Sequence, residues 1–279
     1  MSDAIRLSGR LLLLGAGRMG SAMLTGWLKA GFEPAKISVI DPAPPEETAR
    51  LIKEAGCVLN PPLRELAGAQ ILVAAVKPQI MDEALAPLAA ALGPAAPLIV
   101  SIAAGRTISS FKARFGEDAP VIRAMPNTPA AIGRGITGFT ASAEVTPAQK
   151  RIARALLAAL GEVVEVETED LMDAVTAVSG SGPAYVFLLA ECLAKAAQSQ
   201  GLPADLAAKL ARATLTGAGA LMESPDETPA ALRRAVTSPG GTTAAALELL
   251  MDERGAGLCD LMTRAVAAAA ARSKELAKS

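Results

Sequence analysis

Two short stretches of this sequence carry residue types suited to holding anionic ligands. The first is Gly15-Ala16-Gly17-Arg18-Met19-Gly20, a G-x-G-x-x-G placed directly after the apolar run at 11–14. In such a turn Gly15 permits the tight bend and Gly17 lets a pyrophosphate approach the backbone. Gly20 lets the helix that follows lie close to the strand. The phosphates would then meet the unpaired amides and positive dipole end of a helix starting at Arg18 and Met19. The second stretch is Val236-Thr237-Ser238-Pro239-Gly240-Gly241-Thr242-Thr243, immediately before another helical pattern. Hydroxyls at Ser238, Thr242 and Thr243, a proline-fixed turn and two permissive glycines suit a cradle for a carboxylate. A plain helix cap needs only one of those hydroxyls.

Asp41 lies 21 residues beyond Gly20, at the end of the second apolar run. An acidic side chain at that place commonly holds the adenosine ribose hydroxyls of NAD, and by itself it disfavours a 2′-phosphate. Arg18 or Arg50 could offset its charge, so NADH and NADPH both stay open, and Asp41-Pro42 also reads as an ordinary strand-ending turn. Lys77 and Pro78 close a later strand on the side where ligands sit in open α/β sheets. Lys77 suits a cofactor ribose or plain solvation equally well. Asn127, in Ala124-Met125-Pro126-Asn127-Thr128-Pro129, offers a donor and an acceptor to a nicotinamide or substrate from a loop stiffened by prolines.

Histidine is absent from the chain. That excludes histidine general acids, histidine triads and histidine-ligated metals, and it favours a cofactor that brings its own chemistry. Cys57, Cys192 and Cys259 are isolated, as in a protein with reduced thiols. No metal is expected.

The elements that must position these residues alternate through the first part of the chain. Strands are expected at 10–14, 36–40, 71–76, 98–102 and 121–124, with helices between them, notably at 19–30 and 45–54. Strand-like runs at 138–141 and 162–166 flank a helix at 147–160. Near-continuous apolar strands alternating with helices indicate a mostly parallel sheet covered on both faces. After about 167 only helices are expected, at 169–178, 183–200, 203–222, 229–235, 242–254 and 258–277. Thr168 and prolines at 183, 203 and 229 supply start signals. The third of these helices carries Leu206, Leu210, Thr214, Gly217 and Leu221 along one face. The domains are therefore read as 1–167, an α/β Rossmann-type dinucleotide-binding domain, and 168–279, an all-α dimerisation and substrate-binding domain. Small residues and few aromatics in the second favour burial against another copy of the chain over a self-contained bundle.

Hydrophobic residues make up 51% of 279, and 27 basic residues nearly balance 28 acidic ones. No basic stripe with interleaved aromatics marks a nucleic-acid partner. The most apolar stretch, 84–104, is interrupted by Pro87, Gly93, Pro94 and Pro97, so it is not one spanning helix. No membrane association is expected, and the N-terminal apolar run is too short for a signal peptide, so the expected location is the cytoplasm.

Gly-Ala-Gly-Arg-Met-Gly at 15–20, Val-Lys-Pro at 76–78, Met-Pro-Asn-Thr-Pro at 125–129, Ser-Gly-Ser-Gly-Pro-Ala-Tyr at 179–185 and Thr-Ser-Pro-Gly-Gly-Thr-Thr at 237–243 together resemble pyrroline-5-carboxylate reductases. Arg18 stands where that family often has asparagine or lysine. The resemblance implies a Rossmann domain, an interlocked helical dimerisation domain and the final step of proline synthesis. It also implies that the substrate carboxylate is held at Ser238, Gly240, Gly241 and Thr243, near helices of the partner subunit. A homodimer is expected, with room for a larger homo-oligomer such as a decamer. Asp226 would help order the substrate region, though it reads equally well as a solvated turn acid.

The implied reaction delivers hydride from NADPH or NADH to the C=N carbon of a small cyclic imino acid. An imine nitrogen is basic enough to arrive protonated, so a site without histidine suffices. Thr243 is the candidate catalytic contact to that nitrogen. Tyr185, the one tyrosine, suits apolar packing better than proton donation. A β-hydroxyacid dehydrogenase shares the glycine turn, but it is expected to carry a lysine soon after its interdomain glycines, and here the first downstream lysine is Lys195. A non-catalytic dinucleotide sensor would need no anion loop at 237–243.

Overall fold

The computed structural model describes residues 7–93, 96–224, 226–252, 254 and 257–277. Contacts divide the chain into two compact units: Met1–Gly180 with Ala270–Ser279, and Ser181–Ala269.

Among the described residues of the first unit, one sheet holds β1 (Leu11–Leu14), β2 (Ile37–Ile40), β3 (Val58–Leu59), β4 (Ile71–Ala74), β5 (Leu98–Ser101), β6 (Val121–Met125), β7 (Gly135–Ala141) and β8 (Gly161–Glu165). Their order is β3-β2-β1-β4-β5-β6-β7-β8. All pairs are parallel except β6 with β7. Leu11–Leu14 pair in register with both Ile37–Ile40 and Ile71–Ala74, which makes β1 the central strand of the nucleotide-binding half. The order reverses between β1 and β4, the kind of switch point where ligands sit at the carboxyl ends of strands.

Helices cover both faces, and the side chains of β1 divide accordingly. Leu11 and Leu13 join one core with Met23, Leu24 and Trp27, whereas Leu12 and Leu14 join another with Met81, Leu85, Leu88 and Phe111. Strands buried on both faces read as unbroken apolar runs, which is why Leu-Leu-Leu-Leu was informative. The helices are α1 (Arg18–Lys29), α2 (Glu46–Ala55), α3 (Met81–Leu92), α4 (Ile108–Phe115), α5 (Pro147–Ala158) and the short α6 (Met172–Val175).

Several sequence expectations shift at the ends of elements. β7 begins three residues earlier than expected, because the Gly135 amide donates to the Leu160 carbonyl and the Ile136 amide to Asn127 Oδ1. β3 is too short to leave a periodic signal. Pro87 falls inside α3, which persists through the missing amide because Met81, Leu85, Leu88 and Leu92 anchor it to the sheet. Gly93 then ends α3 with φ +83°, and Pro94 lies outside the described residues. The segment expected as one helix at 169–178 is instead a 3-10 turn at Glu169–Leu171, α6, and a π-helical turn at Thr176–Gly180.

α1 and α5 cross closely on the same face of the sheet, within one core. The Trp27 indole is fully buried and donates to the Leu156 carbonyl at 2.9 Å. A Cβ on Gly26 would stand 2.6 Å from the Ala159 carbonyl oxygen, so a larger residue there would push the two helices apart.

In the second unit, α7 (Gly182–Ser199) and α8 (Ala204–Leu221) pack against each other, followed by α9 (Pro229–Ala235), α10 (Thr242–Leu250) and α11 (Leu258–Leu276), whose last turns count with the first unit. α10 stops at Leu250 rather than near 254. The buried residues of α8 are Ala207 and Ala211, while Leu206, Leu210 and Leu221 are exposed. The leucine face thus points outward and small alanines form the buried contact. No residue of α7 is buried, although Val186, Phe187, Leu188 and Leu189 follow one another along it. By length and composition the helical run Glu169–Ser199 could cross a membrane.

Replacing Trp27 by Ala removes both the largest buried side chain and the α1–α5 hydrogen bond. We expect a loss of about 3–5 kcal/mol in chemical denaturation. A loss below about 1 kcal/mol would contradict the packing described.

Candidate functional site

The glycine turn after β1 is built as the sequence implies. Gly15 has φ +95°, and a Cβ there would lie 2.8 Å from Val76 Cγ1 and 2.9 Å from the Ala75 carbonyl carbon. A Cβ on Gly20 would collide with the Gly15 carbonyl oxygen, so only glycine lets α1 begin this close to β1. Gly17 differs from both. Its φ is −64°, open to any residue, and no atom lies within 4 Å of a Cβ built on it. The space beside Gly17 is therefore vacant in the protein's own packing, as a cradle for a pyrophosphate requires.

Gly17 is the N-cap of α1, and no side chain closes this helix start. Arg18 is exposed on the first turn, and Met19 packs partly against the core. Ser21 donates its hydroxyl to the Ala16 carbonyl at 2.7 Å and touches the Thr48 hydroxyl, which ties the turn to α2.

Asp41 stands at the carboxyl end of β2, and its carboxylate points back into the turn. Oδ2 accepts from the Ala16 amide at 2.6 Å and Oδ1 from the Ala43 amide at 2.9 Å. Asn60, in the left-handed region at φ 48°, grips the backbone of Asp41 from the other side: its Oδ1 accepts from the Asp41 amide and its Nδ2 donates to the Asp41 carbonyl. Asp41 thus serves the strand-ending turn, with both carboxylate oxygens engaged by backbone amides. Asn60 escaped the sequence reading; the Asn-Pro-Pro at 60–62 was its only local signal.

Lys77 is exposed and extended just before the 3-10 turn at Pro78–Ile80, at the carboxyl end of β4. Behind it, Arg106 and Arg114 converge on Asp82 at 2.6 and 3.6 Å, tying the loop after β5 to the start of α3. The hydrogen bond from Arg106 holds the Asp82 carboxyl below the usual carboxylate range.

Asn127 is buried, and both ends of its amide are engaged inside the fold. Nδ2 donates to the Ser179 carbonyl at 3.2 Å, and Oδ1 accepts from the Ile136 amide at 3.0 Å. Its side chain clamps the loop after β6 onto β7 and the π-helical turn. Gly180 completes this clamp, since a Cβ there would stand 2.7 Å from Met125 Cε. Deeper in, Arg123 is buried on β6 and reaches Glu169 at 3.0 Å and Asp173 at 3.8 Å, while the Ser273 hydroxyl donates to Asp173 at 2.6 Å. None of these partners was legible in the sequence, because each pair joins positions far apart in the chain.

In the helical unit, the 237–243 loop forms a defined turn. The Gly241 amide donates to the Ser238 carbonyl at 3.0 Å across Pro239-Gly240, and Gly240 takes φ +69°. Proline second and a left-handed glycine third are the requirements of a type II turn. Thr237 is withdrawn from the loop, because its hydroxyl donates to the Arg233 carbonyl. Gly241 is the N-cap of α10, again with no side-chain cap. The hydroxyls of Ser238, Thr242 and Thr243 are not hydrogen-bonded among the described residues. The first-turn amides of α10 and three uncommitted hydroxyls thus gather on one stretch of chain. α4, α5 and α9 differ: Thr107, Thr146 and Thr228 each accept a backbone amide of the first turn.

Residues 169–276 match the family described as pyrroline-5-carboxylate reductase dimerisation, and residues 10–105 match a family described as NADP oxidoreductase coenzyme F420-dependent. The pyrroline-5-carboxylate reductase of Pseudomonas aeruginosa is 41% identical over 270 residues, covering 96% of this chain and 97% of that one. The chain belongs to the pyrroline-5-carboxylate reductase family. The Synechocystis reductase is also 41% identical, over 98% of this chain and all of its own. Among solved structures, a pyrroline-5-carboxylate reductase from Coxiella burnetii superposes with a TM-score of 0.89 at 32% identity, over 98% of this chain and 100% of the other. A Plasmodium falciparum pyrroline carboxylate reductase, solved with NADP bound, gives 0.81 at 28% identity over the same shares.

The contrast between Gly17 and Gly20 separates binding from folding in this family member. Gly17→Val should leave thermal stability close to wild type and weaken reduced-dinucleotide binding by at least about tenfold. Unchanged affinity in a folded Gly17→Val protein, measured by calorimetric titration, would remove the turn from the cofactor site.

Proposed function

We propose that the protein reduces 1-pyrroline-5-carboxylate to L-proline with a nicotinamide dinucleotide, the last step of proline biosynthesis. The observation that carries this is the uncapped start of α10, preceded by the type II turn at Ser238–Gly241, in a member of this family. The backbone amides after Gly240 and Gly241 and the hydroxyls of Ser238, Thr242 and Thr243 bind the substrate carboxylate. A helix start is the right place for it, since the unpaired amides and the dipole both favour an anion.

The dinucleotide supplies the hydride. Gly15, Gly17 and Gly20 give its pyrophosphate access to the amides at Arg18 and Met19. Asp41, Lys77, Pro78 and Asn127 shape the ribose and nicotinamide end, Asp41 through its carboxylate and Asn127 as the clamp on its loop. The imine nitrogen enters protonated, which makes its carbon electrophilic without a general acid. The Thr243 hydroxyl accepts a hydrogen bond from that nitrogen and fixes the orientation of the ring. Orientation is the main contribution left to the protein once the electrophile is pre-formed.

The domain division is 1–167 for the dinucleotide and 168–279 for dimerisation and substrate. The exposed apolar side chains of α7 and α10, including Phe187 and Leu249, are the surface of a homodimer. Glu191 and Lys195 are exposed on the same helical run, and they favour a protein partner over a bilayer. Dimers assemble further into a closed homo-oligomer such as a decamer, and the protein works in the cytoplasm.

A spectrophotometric assay of nicotinamide oxidation with 1-pyrroline-5-carboxylate tests the reaction. Wild-type turnover is expected, and Thr243→Val should reduce it at least tenfold, about 1.4 kcal/mol. Wild-type rates in that variant would remove Thr243 from the mechanism, and no turnover in the wild type would remove the reaction. Phe187→Glu should shift the protein toward monomer in light scattering coupled to size exclusion. An unchanged mass in both that variant and Leu249→Glu would place the pairing surface elsewhere.

A further inference from the structure

We infer that the loop after β2 rejects a 2′-phosphate and makes NADH the preferred cofactor of this protein. The inference rests on the reading that the chain binds a nicotinamide dinucleotide, and it concerns only which one.

NADH and NADPH differ by one phosphate on the adenosine ribose, a group with up to two negative charges that needs donors or cations around it. In a doubly wound fold that group lies beyond the second strand, near the acidic position that follows the glycine turn. Here that place holds Asp41-Pro42-Ala43-Pro44-Pro45-Glu46-Glu47. Pro42, Pro44 and Pro45 have no amide N–H to donate. Ala43 has one, and Asp41 Oδ1 already accepts it at 2.9 Å. No backbone donor from 42 to 45 is left for a phosphate.

The side chains offer no better reception. The Asp41 carboxylate is held in place by the Ala16 and Ala43 amides, and neither Arg18 nor Arg50 forms a salt bridge with it among the described residues. Asn60 spends both ends of its side-chain amide on the Asp41 backbone. Arg18 lines a cleft of about 710 Å³ together with Glu47, so an acid shares its surroundings. α2 starts without a side-chain cap, but Glu46 and Glu47 occupy its first turn and put two negative charges at that edge. A ribose 2′-hydroxyl, by contrast, can donate to an acceptor-only carboxylate.

The test is calorimetric titration of the full-length protein with NADH and with NADPH, without imine. We expect NADH to bind at least about tenfold more tightly. Asp41→Asn, which removes the charge while keeping one acceptor oxygen, should move the ratio toward NADPH. Ala43→Arg leaves Asp41 and the backbone amide in place and adds a cation, and it should move the ratio the same way even if Asp41→Asn fails to fold. A smaller or reversed preference in the wild type overturns the inference, as does a ratio unmoved in every folded variant. Because no turnover is required, the outcome is separable from the proposed reaction. A chain that selects NADH but leaves the imine untouched would defeat the reaction alone, and one that reduces the imine with tighter NADPH binding would defeat this inference alone.

Discussion

A helix start left open by its own sequence is the constraint on which this protein depends. α1 and α10 both begin on glycine, at Gly17 and Gly241, and neither has a side chain closing its first turn. A serine, threonine or aspartate in those places would add roughly a few tenths of a kcal/mol of helix stability over glycine. The same chain uses that device at Thr107, Thr146 and Thr228. α2, α3, α6, α7 and α8 also start without a side-chain cap, but at α1 and α10 the open first turn follows a glycine-rich loop that leaves its amides accessible.

Much of the remaining structure holds those open ends still. Gly20 sets the distance from α1 to β1, the Asp41 carboxylate ties the Ala16 amide to the end of β2, and Asn60 fixes Asp41 in turn. The Trp27 hydrogen bond to α5 anchors the same helix to its neighbour on that face of the sheet. Along the opposite part of the carboxyl edge, Asn127 and Gly180 lock the loop after β6, with the buried Arg123, Asp173 and Ser273 and the half-buried Glu169 set beneath. Buried charge of this kind is strongly destabilising when one partner is lost. Its value here lies in fixing one arrangement of segments that are distant in sequence.

The fold was largely legible because its signals are local. Runs of leucine, isoleucine and valine marked strands covered on both faces, and glycines and prolines punctuated the helices. Legibility failed where a long-range contact decides the outcome. β7 starts at Gly135 because Asn127 and Leu160 receive its first amides, and α3 runs through Pro87 because its apolar stripe is anchored to the sheet. The leucine face of α8 was visible as a periodicity, but not that alanines would form its buried side. At the site, the glycine turn and the 237–243 loop announced themselves through spacing. The inward turn of Asp41 and the internal engagement of Asn127 did not, since an aspartate or asparagine has the same formula whether it faces a ligand or its own backbone.

The most direct test of the central claim is a crystal structure of the protein with oxidised dinucleotide and L-proline bound together. We expect the pyrophosphate on the amides that open α1 and the proline carboxylate on the amides and hydroxyls from Ser238 to Thr243. A proline carboxylate seated on other residues, with the start of α10 left to water, would contradict it.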